Sequence, residues 1–533
     1  MRTLCSSLFV AALLLLAGCG NRGGFSQRTS GQSTANVFRY PIVTNPTTLD
    51  PGVVQDGDTI DLIQQSFEGL VTWNENNELA PELAERWDIE DDGRTYVFHI
   101  KRGVKFHNGR ELTAEDFKWS IERNLTPGFP SETNEQYLSD IVGVREKMAG
   151  QAQEVSGVQV VDPYTLKITI DKPRPYFLGK LTYPVSFAMA KEAAPASGPI
   201  TKIEQMVGTG PFKVTKYEPN LIVELEAFAD YHLGKPKLAK ILRPIITDAQ
   251  TRLNKYRQGE IDLVQLERAD IKPLQADPKF KDHLHFMDRP SIYYVGFCQP
   301  ALPVFKDRRV RRAFAMAIDK DEIANDTLGG INQKATGIVP PGVPGHRPNA
   351  NAIPYDPEGA RRLLAEAGFP GGKGFPALKL TFREKRTDIR TVAEKVASQL
   401  SRNLNIDVQL QTLEWGSYLN AWNNQKLPFF HMRWAADYLD PENFLSHMLA
   451  TYGPENKIGY VNQEYDRLCS TADVMLDMEA RLPLYAQAED IALQDAPWIP
   501  IYYQRDAELI NPRVKGLRTS LFGHLPHYTV SIE

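Results

Sequence analysis

Residues 377–410 read ALKLTFREKRTDIRTVAEKVASQLSRNLNIDVQL. From 377 to 382 apolar and polar side chains alternate, the two-residue period of a strand. Ile389, Val392, Ala393, Val396 and Leu400 then recur at three- and four-residue intervals, the stripe of an amphipathic helix. A second strand is expected at 406–410. A strand, a helix and a strand in that order make a crossover unit, which favours a parallel sheet and an α/β fold.

Working outward, the same two periods recur. Residues 165–170 alternate Leu166, Ile168 and Ile170 with Thr165, Lys167 and Thr169, and 221–227 behave likewise. Val310, Ala313, Phe314, Ala317 and Ile318 mark a helix whose cluster of Arg308, Arg309, Arg311 and Arg312 reads as a solvated face. Asn108-Gly109 is a tight-turn dipeptide, and Thr113 before Ala114, Glu115 and Asp116 reads as the N-cap of a helix carrying Phe117, Ile121 and Leu125. The proline-rich run from Val339 to Pro348 reads as an irregular surface or inter-element loop. No internal repeat is visible.

At 533 residues the chain needs two or three compact units rather than one core. Its 61 basic and 66 acidic side chains leave a formal charge of −5, which gives no electrostatic reason to expect a nucleic-acid partner. A content of 42% hydrophobic and 10% aromatic residues fills cores and leaves aromatics for a ligand cleft.

Arg2 precedes an apolar run from Leu8 to Leu16, too short for a permanent membrane span and suited to a signal peptide over 1–18. The run closes on Leu16-Ala17-Gly18-Cys19, which resembles a bacterial lipobox and predicts acylation at Cys19, hence export to the periplasm or cell surface on a membrane anchor. The Gly-, Ser-, Asn- and Gln-rich residues from 20 to 36 then read as a tether with a random-coil reach of about 20–25 Å. Cys298 and Cys469 remain, 171 positions apart; pairing and two buried thiols are both open. No cysteine or histidine cluster has zinc spacing, and no metal or cofactor is expected.

TLDPGVVQDGDTIDLIQQSFEGL from Thr48 to Leu70 and LAPELAERWDIEDDGRTYVFHIKRGVKFHNGRELTAEDFKWSIER from Leu79 to Arg123 closely resemble the extracellular solute-binding proteins, family 5, of oligopeptide and dipeptide ABC importers. The resemblance continues through Gly208-Thr209-Gly210-Pro211-Phe212, RRVRRAFAMAIDKDEI at 308–323, YDPEGARRLLAEAGF at 355–369 and WAADYLDPENFL at 434–445. It implies a type II periplasmic-binding-protein clamshell, a two-lobed α/β fold with an extra α+β subdomain. The implied first lobe is discontinuous over 37–69, 205–288 and 509–533. An inserted subdomain takes 70–204, the second lobe 289–508, and the hinge lies near 289 and 508. Trp87, Tyr96, Phe98, Val104 and Phe106 read as core. Gly208-Thr209-Gly210-Pro211 lacks the Lys-Ser/Thr of a phosphate loop and reads as a turn.

A peptide carrier must hold a ligand whose side chains vary but whose ammonium and backbone do not, which calls for a carboxylate, backbone pairing and roomy aromatic walls. The resemblance places the ammonium partner at Asp437 and cleft-wall aromatics at Trp415 and Trp434, beside Tyr438. The other reading of Asp437 is a turn or helix-cap aspartate before Asp440-Pro441. His431 falls where some relatives carry a basic residue for the ligand's C-terminal carboxylate; the other reading is a structural histidine. Gln55, Asp56 and Asp58 match a loop facing the ligand in relatives, or are solvated turn residues. Ala435 replaces a cysteine that some relatives bond.

The implied function is that of the substrate-binding component of an ABC importer, a monomer that takes short peptides to permease and ATPase subunits and has no nucleic-acid partner. The alternatives are the same fold with a nickel chelate, oligosaccharide, haem or opine, and a secreted hydrolase. The absence of a G-x-S-x-G elbow and of HExxH speaks against the enzyme.

Overall fold

The computed structural model describes residues 36–384 and 386–533. The predicted leader, Cys19 and the tether through residue 35 lie outside the described residues.

Three sheets organise the chain. In the first, Val37–Arg39, Lys240–Pro244, Ile222–Ala227 and Phe212–Glu218 lie side by side; the first pair is parallel and the others antiparallel. Its core joins Phe38, Phe212, Leu225 and Ile241 to Leu62 and Ile63 of the helix Gly57–Ile63 and to Val514 and Val530 of the C-terminal tail. Distant segments meet here because none has enough apolar surface to close a core alone.

The second sheet is an antiparallel meander in the order Ala84–Glu90, Thr95–Ile100, Thr165–Thr169, Val158–Asp162. The helix Ala114–Asn124 packs on it through Phe117 and Ile121. Its start is the expected one: Thr113 and Asp116 form a reciprocal capping box, an arrangement worth about 1 kcal/mol. Tyr96, Phe98, Val104 and Phe106 are buried core, with Trp87 packed at the margin.

The third sheet has seven strands, in the order Leu263–Gln265, Trp498–Ile510, Leu284–Phe297, Phe429–Ala435, Leu378–Arg383, Val408–Leu413, with Gln333–Lys334 also on Trp498–Ile510. It is covered on both faces, so its strands are apolar on both sides. Tyr294 belongs to one core and its neighbour Tyr293 to the other. The predicted crossover is present: Leu378–Arg383 and Val408–Leu413 are parallel, joined by the helix Thr387–Leu404. The second strand starts later than its apolar pattern suggests. Asn405 ends the helix in the left-handed conformation, and the chain uses Ile406 as a buried plug before pairing begins.

Two readings need correction. Arg311 is not on a solvated face; it is buried, and its guanidinium donates to the carbonyls of Phe305, Lys306 and Asp495, which end two helical segments. Of the two readings of Val339–Pro348, the inter-element loop holds and the surface excursion does not: Val339 and Val343 lie in the core, and the carboxylate of Glu489 accepts the backbone N–H groups of Ile338 and Val339 at 2.6 and 3.1 Å. Cys298 and Cys469 are both buried and free, which settles the pairing left open above.

Candidate functional site

Leu378–Arg383, Val408–Leu413 and Phe429–Ala435 run parallel and end at one edge of the large sheet. Loops beyond the carboxyl ends of parallel strands are where open α/β sheets bind ligands. Arg383, Trp415 and Asp437 all lie at or just past those ends.

The loop after Phe429–Ala435 is stapled from within. Asn443 is fully buried; its side-chain oxygen accepts the Asp437 N–H at 3.0 Å, and its backbone carbonyl accepts the Trp434 indole N–H at 2.9 Å. Asp440 takes the turn role that was the other reading of Asp437. It accepts the Glu442 N–H at 2.9 Å and a two-pronged bond from buried Arg481 at 2.6 and 3.0 Å. The Asp437 carboxylate accepts from the Asn443 amide of the same turn at 3.5 Å and has capacity left for groups outside it.

Its partners come from a distant part of the chain. The Gln136 amide donates to the Asp437 carboxylate at 2.7 Å across 301 positions, and the Tyr137 hydroxyl also bonds it. Both residues stand on the short helix Asn134–Leu138, beside the antiparallel meander. Tyr137 stacks on Tyr183 at 3.9 Å, and the Tyr183 hydroxyl donates to the Val54 carbonyl at 3.1 Å, next to Gln55 and Asp56. Burial pushes the Asp437 carboxyl up to about 6; bonds from Tyr137, Asn443 and Gln136 and the Lys180 ammonium limit the rise.

The aromatic residues divide by exposure. Tyr438 is buried, stacks on Tyr176 at 5.4 Å and donates to Glu442 at 2.5 Å, so its ring joins the two sides rather than offering an open wall. Trp434 is half-buried with its ring 5.4 Å from that of His447. Trp415 is also half-buried, and the Arg383 guanidinium lies 4.7 Å over its ring. Burial, then the charges of Arg386 and Arg433, hold the Arg383 pKa below its usual value. Arg386 is matched by Asp388 at 2.8 Å and the Glu414 carboxylate is also near, so the positive charge left over for a ligand carboxylate comes from Arg383 and Arg433.

His431 sits mid-strand opposite Val295, 2% exposed, and burial pushes its imidazole down to about 4. It is neutral at pH 7. Asp56 caps the helix Gly57–Ile63 by accepting the Thr59 N–H at 2.9 Å and accepts the Thr47 hydroxyl at 2.5 Å; Gln55 and Asp58 are exposed beside it. Gln136, Tyr137, Tyr183 and Arg383 escaped the sequence reading. For Arg383 a signal existed, a charge at the last position of an alternating strand; for the others none did. Among the described residues no cluster of three or more His, Cys, Asp or Glu could hold a metal ion.

The model of the bacterial extracellular solute-binding proteins, family 5, matches residues 78–456. The chain belongs to that family. It is 30% identical to haem-binding protein A of Haemophilus influenzae over 98% of both chains, and 28% identical to the oligopeptide-binding protein OppA of Bacillus subtilis over 96% of both. Among solved structures, the murein tripeptide-binding protein MppA of Escherichia coli is similar with a TM-score of 0.79 and 27% identity, covering 94% of this chain and 99% of that one. The fold is the two-lobed α/β clamshell of these periplasmic binding proteins, and the family consists of solute-binding proteins. Among the described residues no helix is long and apolar enough to cross a membrane.

Proposed function

We propose that this chain is the peptide-binding component of an ABC importer, taking short peptides with free amino termini between its lobes and passing them to permease and ATPase subunits. One observation carries the reading: Asp437 is a half-buried carboxylate held past the ends of parallel strands, with its pKa raised to about 6, and it meets Gln136 from a distant part of the chain. A partly desolvated carboxylate of that kind gains most from a mobile cation such as an α-ammonium. Arg383 over Trp415 is suited to the other end of the ligand, its carboxylate, and takes the place that sequence reading offered to His431. Relatives named for oligopeptides and for a murein tripeptide support a peptide cargo. The relative named for haem keeps a second cargo in view, because it is similar over nearly the whole chain.

No catalytic role is assigned to any residue. The lobe boundaries suggested by the family likeness remain the working division, with the hinge where Leu284–Phe297 and Trp498–Ile510 run side by side. Their register shifts between Asp288 and Ile292. The molecule is proposed to be tethered at Cys19 to a membrane surface.

Native mass spectrometry of protein purified from cells without refolding tests these points together. A bound mass matching one or more short peptides, on a chain that starts at acylated Cys19, is expected. A bound tetrapyrrole, sugar or metal chelate would overturn the peptide cargo, and an unprocessed, unacylated chain would overturn the anchor.

A further inference from the structure

The Asp437 carboxylate has three hydrogen-bonding partners, which differ in what holds them. Asn443 is buried in the same turn and is fixed by its bonds to Trp434 and to the Asp437 backbone. Tyr137 is buried and pinned by its stack on Tyr183. Gln136 is different. It is only half-buried, and its side chain makes a single hydrogen bond among the described residues, the one to Asp437 at 2.7 Å.

We propose that Gln136 is an internal stand-in for the ligand: its amide N–H takes the place at Asp437 that a ligand ammonium takes, and the contact clasps the helix Asn134–Leu138 to the second lobe until a cationic end group displaces it. The proposal rests on the reading of Asp437 as the ammonium partner. The chemistry favours the exchange. The neutral Gln136 amide gives this carboxylate one N–H at 2.7 Å, whereas an ammonium brings three donors and a positive charge, so it adds a Coulomb attraction that the amide lacks. A ligand with a blocked amino terminus brings only another amide and gains nothing by the exchange. Gln136 thus raises the threshold for neutral ligands and makes a cationic end group a condition of entry.

The sign of the effect follows from where the bond exists. A bond made only in the unliganded protein stabilises that state and competes with ligand, so its loss tightens binding. A bond that persists in the complex, or touches the ligand, has the opposite or no effect. The test compares wild type with Gln136→Ala, each freed of co-purified ligand, by calorimetry with a library of free tripeptides and its N-acetylated counterpart. Gln136→Ala is expected to bind the free tripeptides about three- to tenfold more tightly, the worth of one hydrogen bond. An amide with a merely structural role would leave affinity unchanged or lower it, and either result overturns the clasp. Equal binding of free and acetylated peptides to wild type would instead sink the Asp437 reading, and no binding of either would overturn both.

Discussion

Asp437 and Asp440 lie three residues apart in one loop and do different work. Asp440 spends its oxygens on a backbone N–H and on Arg481, so its charge is matched by a buried guanidinium. Asp437 has no guanidinium and is held by neutral donors, so burial raises its pKa to about 6. The sign for binding follows: only the ionised form pairs with an ammonium, and below about pH 6 a proton must leave first. Affinity for a free peptide should be level above pH 7 and fall, approaching tenfold per unit, as pH drops below about 6. The folded pKa lies above the ordinary value of 3.8, so unliganded stability should fall as pH rises from about 4 to 6. Asp437→Asn should lose about 2–5 kcal/mol of peptide affinity, remove the acid fall in affinity and make the stability change between pH 4 and 6 shallower. Calorimetry at pH 5, 6 and 8 and thermal melts over the same range would show it. A pH profile shared by wild type and mutant would assign the titration elsewhere.

At the scale of elements, the loop that presents Asp437 depends on one buried ion pair. The helix Met478–Asp495 carries Arg481, fully enclosed, to Asp440, and the Tyr485 hydroxyl accepts a further bond from the same guanidinium at 3.0 Å. Removing one partner of such a pair strands the other charge, at a cost of about 3–5 kcal/mol. Arg481→Met should therefore lower the free energy of unfolding by about that much in urea. It should also weaken peptide binding, because the turn that aims Asp437 loses its anchor. A variant that keeps wild-type stability would show that Asp440 finds another partner. The crossover at 377–410 was legible because its two periods differ so clearly. Its second strand lay later than the alternation implied, since the helix needs Asn405 in a left-handed cap before the chain can turn back.

For the whole molecule, the proposed ligand site calls for closure of one lobe on the other. Gln136 and Asp437, or Tyr176 and Tyr438, meet only because the second lobe and the meander sheet approach each other. Ligand must favour the closed form over the open one for closure to follow binding. Small-angle scattering of ligand-free Gln136→Ala, which lacks the clasp, should therefore show a radius of gyration that falls on adding peptide, whereas ligand-free wild type should already lie near the bound radius. Equal radii for the two ligand-free proteins would show that the contact at Gln136 does not hold the lobes together.

The sequence by itself determined the α/β class, the crossover unit, the capped helix after Thr113, the core positions Tyr96, Phe98 and Phe106, and the family. These rest on period, cap chemistry and long ordered likeness, all of which are local or linear properties. It also marked the loop from Trp434 to Asn443. Only the tertiary structure decided the division of labour within that loop, with Asp440 in the turn and Asp437 reaching Gln136, and only it showed His431 neutral in the interior, Arg383 over Trp415 and Arg311 buried on carbonyls. Burial and partners fix a side chain's charge and direction, and several deciding partners, Arg481 for Asp440, Gln136 for Asp437 and Asp495 for Arg311, lie tens to hundreds of positions away. No spacing rule connects Gln136 to Asp437; the fold does, by packing a helix of the meander sheet against the carboxyl edge of another.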